Sequence, residues 1–529
     1  MRQTGAVSAE AAQANSAGNA AMKAGDAASA ANHFARATAL APDAFDFRLN
    51  HAIALSAAGR AADALREMEP VEAAGMASAV YCSTRGTVSR ALGDMAAAAL
   101  WYDRALALEP HRPRALHGRA RTAFERGEAD ALTRFDRALA VNPGDPDLWL
   151  GKAQAMDAAG DAAGARALME QVAEQLPGWT EGLRFLAQLR LAAGEDDFAA
   201  HFARAALRVP GDPAVPIEWA RVLSGHDRDE EAAEVMARAS AAFPDDAQLR
   251  LLHASYLGAA GHDEAAEALF AALALESETR FMQEGRHALR RGELDRAERV
   301  LARALTLDPR MIAAWALRDL GWRLSGDPRH EWLHGQEGLI RIVPLPDAET
   351  VLPPALRVLD ALHDASPFPL GQSLRGGTQT RGILFHRQEP ELAALRDAIT
   401  ASVEDYRCQL PPADPAHPLL SRRDAGWQLA GSWSVRLANG GDYHAPHLHP
   451  EGVVSSALYL VLPGDLGTGD DRAGWIELGR PAPDLRLDLP PITALEPRVG
   501  HLALFPSTLY HGTRAFARGR RMTVAFDVT

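Results

Sequence analysis

Cysteine is almost missing from the sequence: Cys82 and Cys408 are the only two in 529 residues, and they lie far apart. That excludes a disulfide-built scaffold and a thiolate metal site, and it fits a reducing, cytoplasmic setting. No run of about 18 apolar residues occurs, so no transmembrane helix is expected and no membrane partner is implied. The first stretch, Met1 to Ala20, lacks the basic-then-apolar order of a signal peptide. There is no basic excess either. A net charge of −14 argues against non-specific nucleic-acid binding. What is present is 47% hydrophobic content, enough for folded structure throughout, over a length that calls for more than one domain.

Self-similarity fills the first three-fifths. A glycine recurs at Gly25, Gly59, Gly93, Gly127, Gly160, Gly194, Gly225, Gly261 and Gly292, at intervals of 31 to 36 residues. Prolines follow most of them about 17 residues later, at Pro42, Pro110, Pro143, Pro177, Pro210, Pro244 and Pro309. Alanines sit near five residues past the glycine, at Ala30, Ala64, Ala98, Ala165, Ala199, Ala266 and Ala297. Each unit therefore reads helix, glycine turn, helix, proline stop. Glycine can take the left-handed conformation that ends a helix, proline cannot continue one, and alanine lets paired helices approach. Units such as "RALGDMAAAALWYDRALALEP" resemble the tetratricopeptide repeat. The resemblance covers residues 8–325 in about nine repeats and implies a superhelix whose concave face holds a peptide or protein partner. Repeat 2 lacks its proline and Ser277 stands in for that of repeat 8, which marks these two as irregular.

Residues 326–365 read as a proline-rich linker, with Pro344, Pro346, Pro353 and Pro354. Helical periodicity returns at Glu391–Tyr406. The segment 369–380 is polar and glycine-rich, a loop on pattern alone. From Trp427 the hydrophobic period falls to two, and strands are expected at Ser432–Leu437, Ser455–Leu462, Gly474–Leu478, Gly500–Phe505 and Arg521–Val528. Turns at Pro463–Asp465 and Gly467–Asp471 separate them. Several short strands in about 100 residues imply a sandwich or barrel.

The chemistry gathers in this last part. Tyr443-His444-Ala445-Pro446-His447-Leu448-His449-Pro450 places three histidines within six residues, and His511 and Arg521 follow. In an extended chain, His447 and His449 point to one side. Three ligands on one face with the remaining positions open suit an iron(II) oxygenase, which must bind oxygen and an organic co-substrate together. Two ligand sets are open: His447, His449 and His511, or His449 and Glu451 with His511. His444 is read as a surface or supporting residue and His501 as structural. Arg521 opens the final strand, and a guanidinium there can grip a carboxylate by two bonds. Thr523 on the same strand face and Tyr459 are candidate further contacts.

The segments "QSLRGGTQT" (372–380), "GDYHAPHLHP" (441–450), "SSALYL" (455–460), "LFPSTLYHGT" (504–513) and "RRMTVAFDV" (520–528) together resemble the Fe(II)/2-oxoglutarate-dependent oxygenases, in a bacterial branch often joined to tetratricopeptide repeats. The resemblance implies a multidomain α + β chain, with an all-α repeat superhelix over 8–325 and a double-stranded β-helix (jelly-roll, cupin-like) domain over 366–529. It implies Fe(II) held by His447, His449 and His511, 2-oxoglutarate clamped by Arg521, and hydroxylation of a peptide or protein side chain. His449 stands where that superfamily usually has an aspartate. Two other functions stay open: a repeat scaffold with a degenerate metal-binding β-domain, and a three-histidine cupin-type dioxygenase that does not use 2-oxoglutarate.

Overall fold

The computed structural model describes residues 8–371, 373–438, 441–467 and 471–529. Residues 1–7 of the N-terminal stretch, Gln372 of the glycine-rich segment and 468–470 of the expected turn lie outside the described residues. The chain forms two compact units, Met1–Ala165 with His386–Gln388, and Arg166–Phe385 with Glu389–Thr529.

The first unit contains the helix pairs Ala9–Lys23 and Ala27–Leu40, Phe45–Ala57 and Ala61–Met68, Ala79–Ala91 and Met95–Leu108, and Pro113–Arg126 and Ala131–Val141, then Pro146–Ala158. In the irregular second repeat the second helix stops at Met68, and Pro70 falls in a short turn beyond it. Phe34, Leu55, Met68, Tyr81, Tyr102 and Phe135 build its core.

The second unit carries four further pairs, Thr180–Ala192 and Ala200–Arg208, Ala214–Ser224 and Asp229–Ala242, Ala247–Ala260 and Asp263–Ala272, and Glu278–Arg290 and Leu294–Leu307. A single helix, Ile312–Ser325, closes the series. All seven marker alanines are buried, as close helix packing requires. Ser277 caps the helix at Glu278 by accepting from the Arg280 amide at 3.1 Å. Eight of the nine marker glycines have positive φ. Gly225 does not: its φ is −60°, and Asp227 takes the left-handed position with φ 59°. Gly225 serves a different need, because a Cβ there would meet the Gly371 Cα at 2.9 Å.

The stretch 326–365 is not a linker. It supplies β1 (Arg341–Pro344) and the helix Ala348–Asp364, which packs with Pro390–Cys408. In β1 the adjacent apolar residues Ile342 and Val343 face opposite sides of the sheet. Pro353 and Pro354 sit inside that helix, at its sixth and seventh positions, where each gives up one backbone hydrogen bond.

The remaining strands are β2 (Leu374–Arg375), β3 (Thr378–Gln379), β4 (Leu429–Leu437), β5 (Tyr443–His447), β6 (Val454–Val461), β7 (Ile476–Leu478), β8 (Thr493–Leu495), β9 (His501–Pro506), β10 (His511–Thr513) and β11 (Arg521–Val528). One sheet has the order β1-β9-β6-β11-β4-β3 and the other β2-β5-β10-β7-β8. From β4 to β11 the chain passes back and forth between the two sheets with every pairing antiparallel. That is the double-stranded β-helix. The larger sheet is sandwiched: Leu458, Leu502, Leu504, Met522, Val524 and Phe526 face the two helices. Tyr459, Ala503 and Phe505, one residue out of phase, face the smaller sheet with Ile476 and Leu478. Arg521 and Thr523 share that inward phase on β11. Among the described residues no helix is long and apolar enough to cross a membrane.

Three buried histidines in the second unit have structural roles. His201 Nε2 bonds the Leu183 carbonyl, His417 Nε2 the Leu333 carbonyl, and His363 the hydroxyls of Thr378 and Ser434. Burial, above all, holds each at about 4. The same side chains titrate near 6.5 in an unfolded chain. Unfolding therefore takes up protons between those values, so the stability they permit is complete above pH 6.5 and is lost as pH falls toward 4. Urea midpoints should be lower at pH 5 than at pH 7. A midpoint indifferent to pH over that range would contradict these assignments.

Candidate metal and co-substrate site

The site lies between the sheets. β5 and β10 are neighbours, with His447 directly opposite His511. The chain leaves β5 at His447 and turns, so His449 comes back over the same space while Leu448 points away into a cluster with Phe281, Leu317 and Tyr510. The ligand nitrogens of His447, His449 and His511 all fall within 4.8 Å of one another. Ring centroids are 4.3 Å apart for His447 and His511, and 4.8 Å for His449 and His511.

Each ring is oriented through its other nitrogen. His447 Nδ1–H donates to the Ala445 carbonyl at 2.8 Å, His511 Nδ1–H to the Leu509 carbonyl at 3.1 Å, and His449 Nδ1–H to Asp527 Oδ1 at 2.6 Å. Those acceptors carry no proton of their own, so they fix the tautomer and leave all three Nε2 lone pairs turned inward. The Nε2 atoms of His447 and His449 are 3.1 Å apart. Two lone pairs at that distance repel unless a cation lies between them, and this donor set fits a metal ion. Burial, followed by the neighbouring imidazoles and His449 in particular, pushes His447 down to about 3; burial and then His447 hold His511 well below its usual range. Both imidazoles are neutral at ordinary pH. Trp433 meets the His449 ring edge-on at 5.2 Å, and Phe505 meets His511 at 4.9 Å.

Arg521 and Thr523 line the same small cavity, together with Trp433, Val435, Ile476 and Ala525. Arg521 is 3% exposed, and among the described residues no carboxylate pairs with it. Its Nε is buried without a hydrogen-bond partner. Burial lowers its pKa, opposed by Tyr459, and the Tyr459 ring lies 5.3 Å from the guanidinium carbon. An unpaired buried guanidinium is costly, and an anionic ligand in the cavity would relieve it. Tyr459 does not line the cavity; it backs Arg521. Glu451 is exposed on the turn after His449 and stays outside the histidine cluster. His501 is remote from it, bonded to the Val499 carbonyl.

Asp527 and Trp433 were not singled out from the sequence. The signal for Asp527 was a carboxylate within the mostly apolar run Met522–Val528, on a strand expected from the sequence. Its role depends on β6 lying beside β11, which places Ser455 opposite Asp527, and no local pattern reveals that neighbour.

Residues 431–527 match the family described as "Putative 2OG-Fe(II) oxygenase". Residues 15–74 and 129–189 match tetratricopeptide-repeat families. A comparison with curated proteins gives no match. Similar solved structures include a tetratricopeptide repeat protein from Parabacteroides merdae, at 16% identity over 46% of this chain and 98% of that one, with a TM-score of 0.34. A thermophilic TPR protein of Thermus thermophilus is 18% identical over 36% of this chain and 99% of that one, with a TM-score of 0.30. Pseudomonas aeruginosa PilF is 17% identical over 39% and 95%, with a TM-score of 0.33. The chain thus carries tetratricopeptide-repeat matches in its helical part and, over its C-terminal double-stranded β-helix, a match to a putative 2OG-Fe(II) oxygenase domain.

Proposed function

We propose that the β-domain is an Fe(II)- and 2-oxoglutarate-dependent dioxygenase that hydroxylates a side chain of a peptide or protein held by the repeats. The observation that carries this reading is the pairing, in one cavity, of three inward Nε2 atoms with a buried arginine that no carboxylate among the described residues neutralises. His447, His449 and His511 would hold the iron, and Arg521 with Thr523 the far carboxylate of 2-oxoglutarate. When bound, iron and 2-oxoglutarate together supply the activation of oxygen that no side chain can provide. The protein's own part is placement. Asp527 and two backbone carbonyls hold the Nδ1–H groups and so aim the imidazoles, and the ligands need no reorganisation. Arg521 offers two parallel donors to a carboxylate and stays charged despite its burial. Trp433, Val435, Ile476 and Ala525 form apolar walls that keep water out and strengthen both contacts.

Arg521→Ala provides the test. Removing one partner of a buried charge-assisted pair costs about 2–5 kcal/mol, so 2-oxoglutarate affinity should fall at least about 30-fold while bound iron is retained. Unchanged consumption of 2-oxoglutarate by Arg521→Ala would overturn the clamp. Iron-dependent oxidation without any 2-oxoglutarate turnover would favour the three-histidine dioxygenase, and a site that takes up no metal under iron-replete conditions would favour the scaffold.

A further inference from the structure

Strict alternation along β5 places His444 and His447 on opposite faces, because they are three residues apart. The structure does otherwise. Opposite His511 stands His447, but opposite Thr513 stands His444, so β10 advances two residues while β5 advances three. The extra residue is a β-bulge at Ala445-Pro446, and a bulge of this kind re-aims the side chains beyond it. Proline suits the position, since it has no amide to leave unpaired. Across from the bulge is Gly512, where a Cβ would lie 2.8 Å from the His444 carbonyl oxygen and 3.1 Å from the Pro446 nitrogen. Both contacts are backbone atoms that cannot swing aside. The bulge and Gly512 form one device.

The device turns His444 inward. Its ring centroid is 5.7 Å from that of His447, and it lines the same cavity as Arg521 and Thr523. It does not belong to the group of nitrogens that converge for a metal. Its Nε2 is buried and has no hydrogen-bond partner among the described residues. A buried polar atom without a partner is costly and calls for an explanation. The cavity already holds another unpartnered donor, Arg521 Nε. One ligand rich in oxygen acceptors answers both.

We propose that His444 is a fourth imidazole of the site, one that binds the dicarboxylate co-substrate and not the metal, by donating its Nε2–H to an oxygen of that ligand. This rests on the oxygenase reading above. His444 then adds directional recognition to the charge of Arg521, from a strand of the opposite sheet.

The test is 2-oxoglutarate binding, by calorimetry, to the full-length protein loaded with Zn(II), which binds without turning over. A hydrogen bond to a charged group contributes enough that His444→Phe should weaken binding about 10–100-fold, with zinc stoichiometry unchanged. His444→Gln, whose amide nitrogen reaches toward the same place, should recover part of the loss. Gly512→Ala retains every histidine but forces the bulge, and His444 with it, to shift, and it should weaken binding in the same direction. Full affinity in a folded His444→Phe protein would overturn the assignment. So would zinc lost in step with 2-oxoglutarate, which would make His444 a metal ligand, or a failure of His444→Gln to recover anything. If the unaltered zinc protein binds no 2-oxoglutarate, the oxygenase reading itself falls. Binding by the unaltered protein with no effect of His444→Phe removes only the role of His444.

Discussion

Replacing His511 by alanine is expected to strip the site of its metal. His511 supplies one of three converging nitrogens from β10, a strand held on both sides, by β5 and β7. Alanine removes the donor and leaves two of the three converging nitrogens. The expected size follows from a milder change. Asp527→Ala leaves all three imidazoles but frees the His449 ring to rotate, and loss of such an orienting partner typically costs about 10–100-fold in metal affinity. His511→Ala should cost more than Asp527→Ala, beyond about 100-fold. Competition against a chelator, with Fe(II) under anaerobic conditions, measures both. The order of the two effects matters as much as their size. If His511→Ala keeps its metal while Asp527→Ala loses it, the ion is held by some other set and His511 only packs beside it.

The residues that the sequence made legible are those governed by local rules. Glycine spacing located every helical turn in the repeats, and the period-two run Arg521–Val528 matched β11 to the residue. His447 and His449 could be paired because an extended chain puts them on one side. The residues that stayed hidden depend on contacts between distant segments. His444 follows the alternation rule until a bulge breaks it, and a bulge is set by the partner strand. Asp527 becomes the partner of His449 only when β11 passes beneath the turn after β5. The proline-rich stretch 326–365 looked like a linker because proline is usually a breaker, yet Pro344 lies at the end of an edge strand, whose outer side needs no donor. Gly225 shows the reverse case. Its spacing was right and its conformational reason was wrong, since the loop at Gly371 requires the missing side chain.

The second large effect is expected outside the histidine cluster, at Asp484→Ala. Asp484 lies in the loop between β7 and β8 and accepts from two arginines of one repeat helix. Arg286 Nε reaches its carboxylate at 2.9 Å, and Arg290 bonds both the carboxylate and, at 3.0 Å, the Asp484 carbonyl. The Arg290 side chain is 2% exposed and that of Asp484 24%. Burial alone would raise the Asp484 carboxyl, but Arg286 and then Arg290 outweigh it and hold it at about 2. Against an ordinary aspartate near 3.9, that depression corresponds to about 2–3 kcal/mol. Its sign is that of a depressed acid: the contribution is present above pH 3.9 and disappears as pH falls through 2. Breaking a buried pair by removing one partner costs about 3–5 kcal/mol, because the other charge is stranded. With Asp484 a quarter exposed, about 3 kcal/mol is expected at pH 7, read as a lower urea midpoint of the second unit. The same loop packs Ala482, Leu485 and Leu487 into the cluster that holds Leu448 and Tyr510. Those two residues stand beside His447, His449 and His511 in the chain. The repeat helix Glu278–Arg290 therefore braces the metal turn through this loop, and Asp484→Ala should lower metal affinity along with stability. A loss of stability that left metal affinity untouched would show that the loop fastens the repeats without bracing the site.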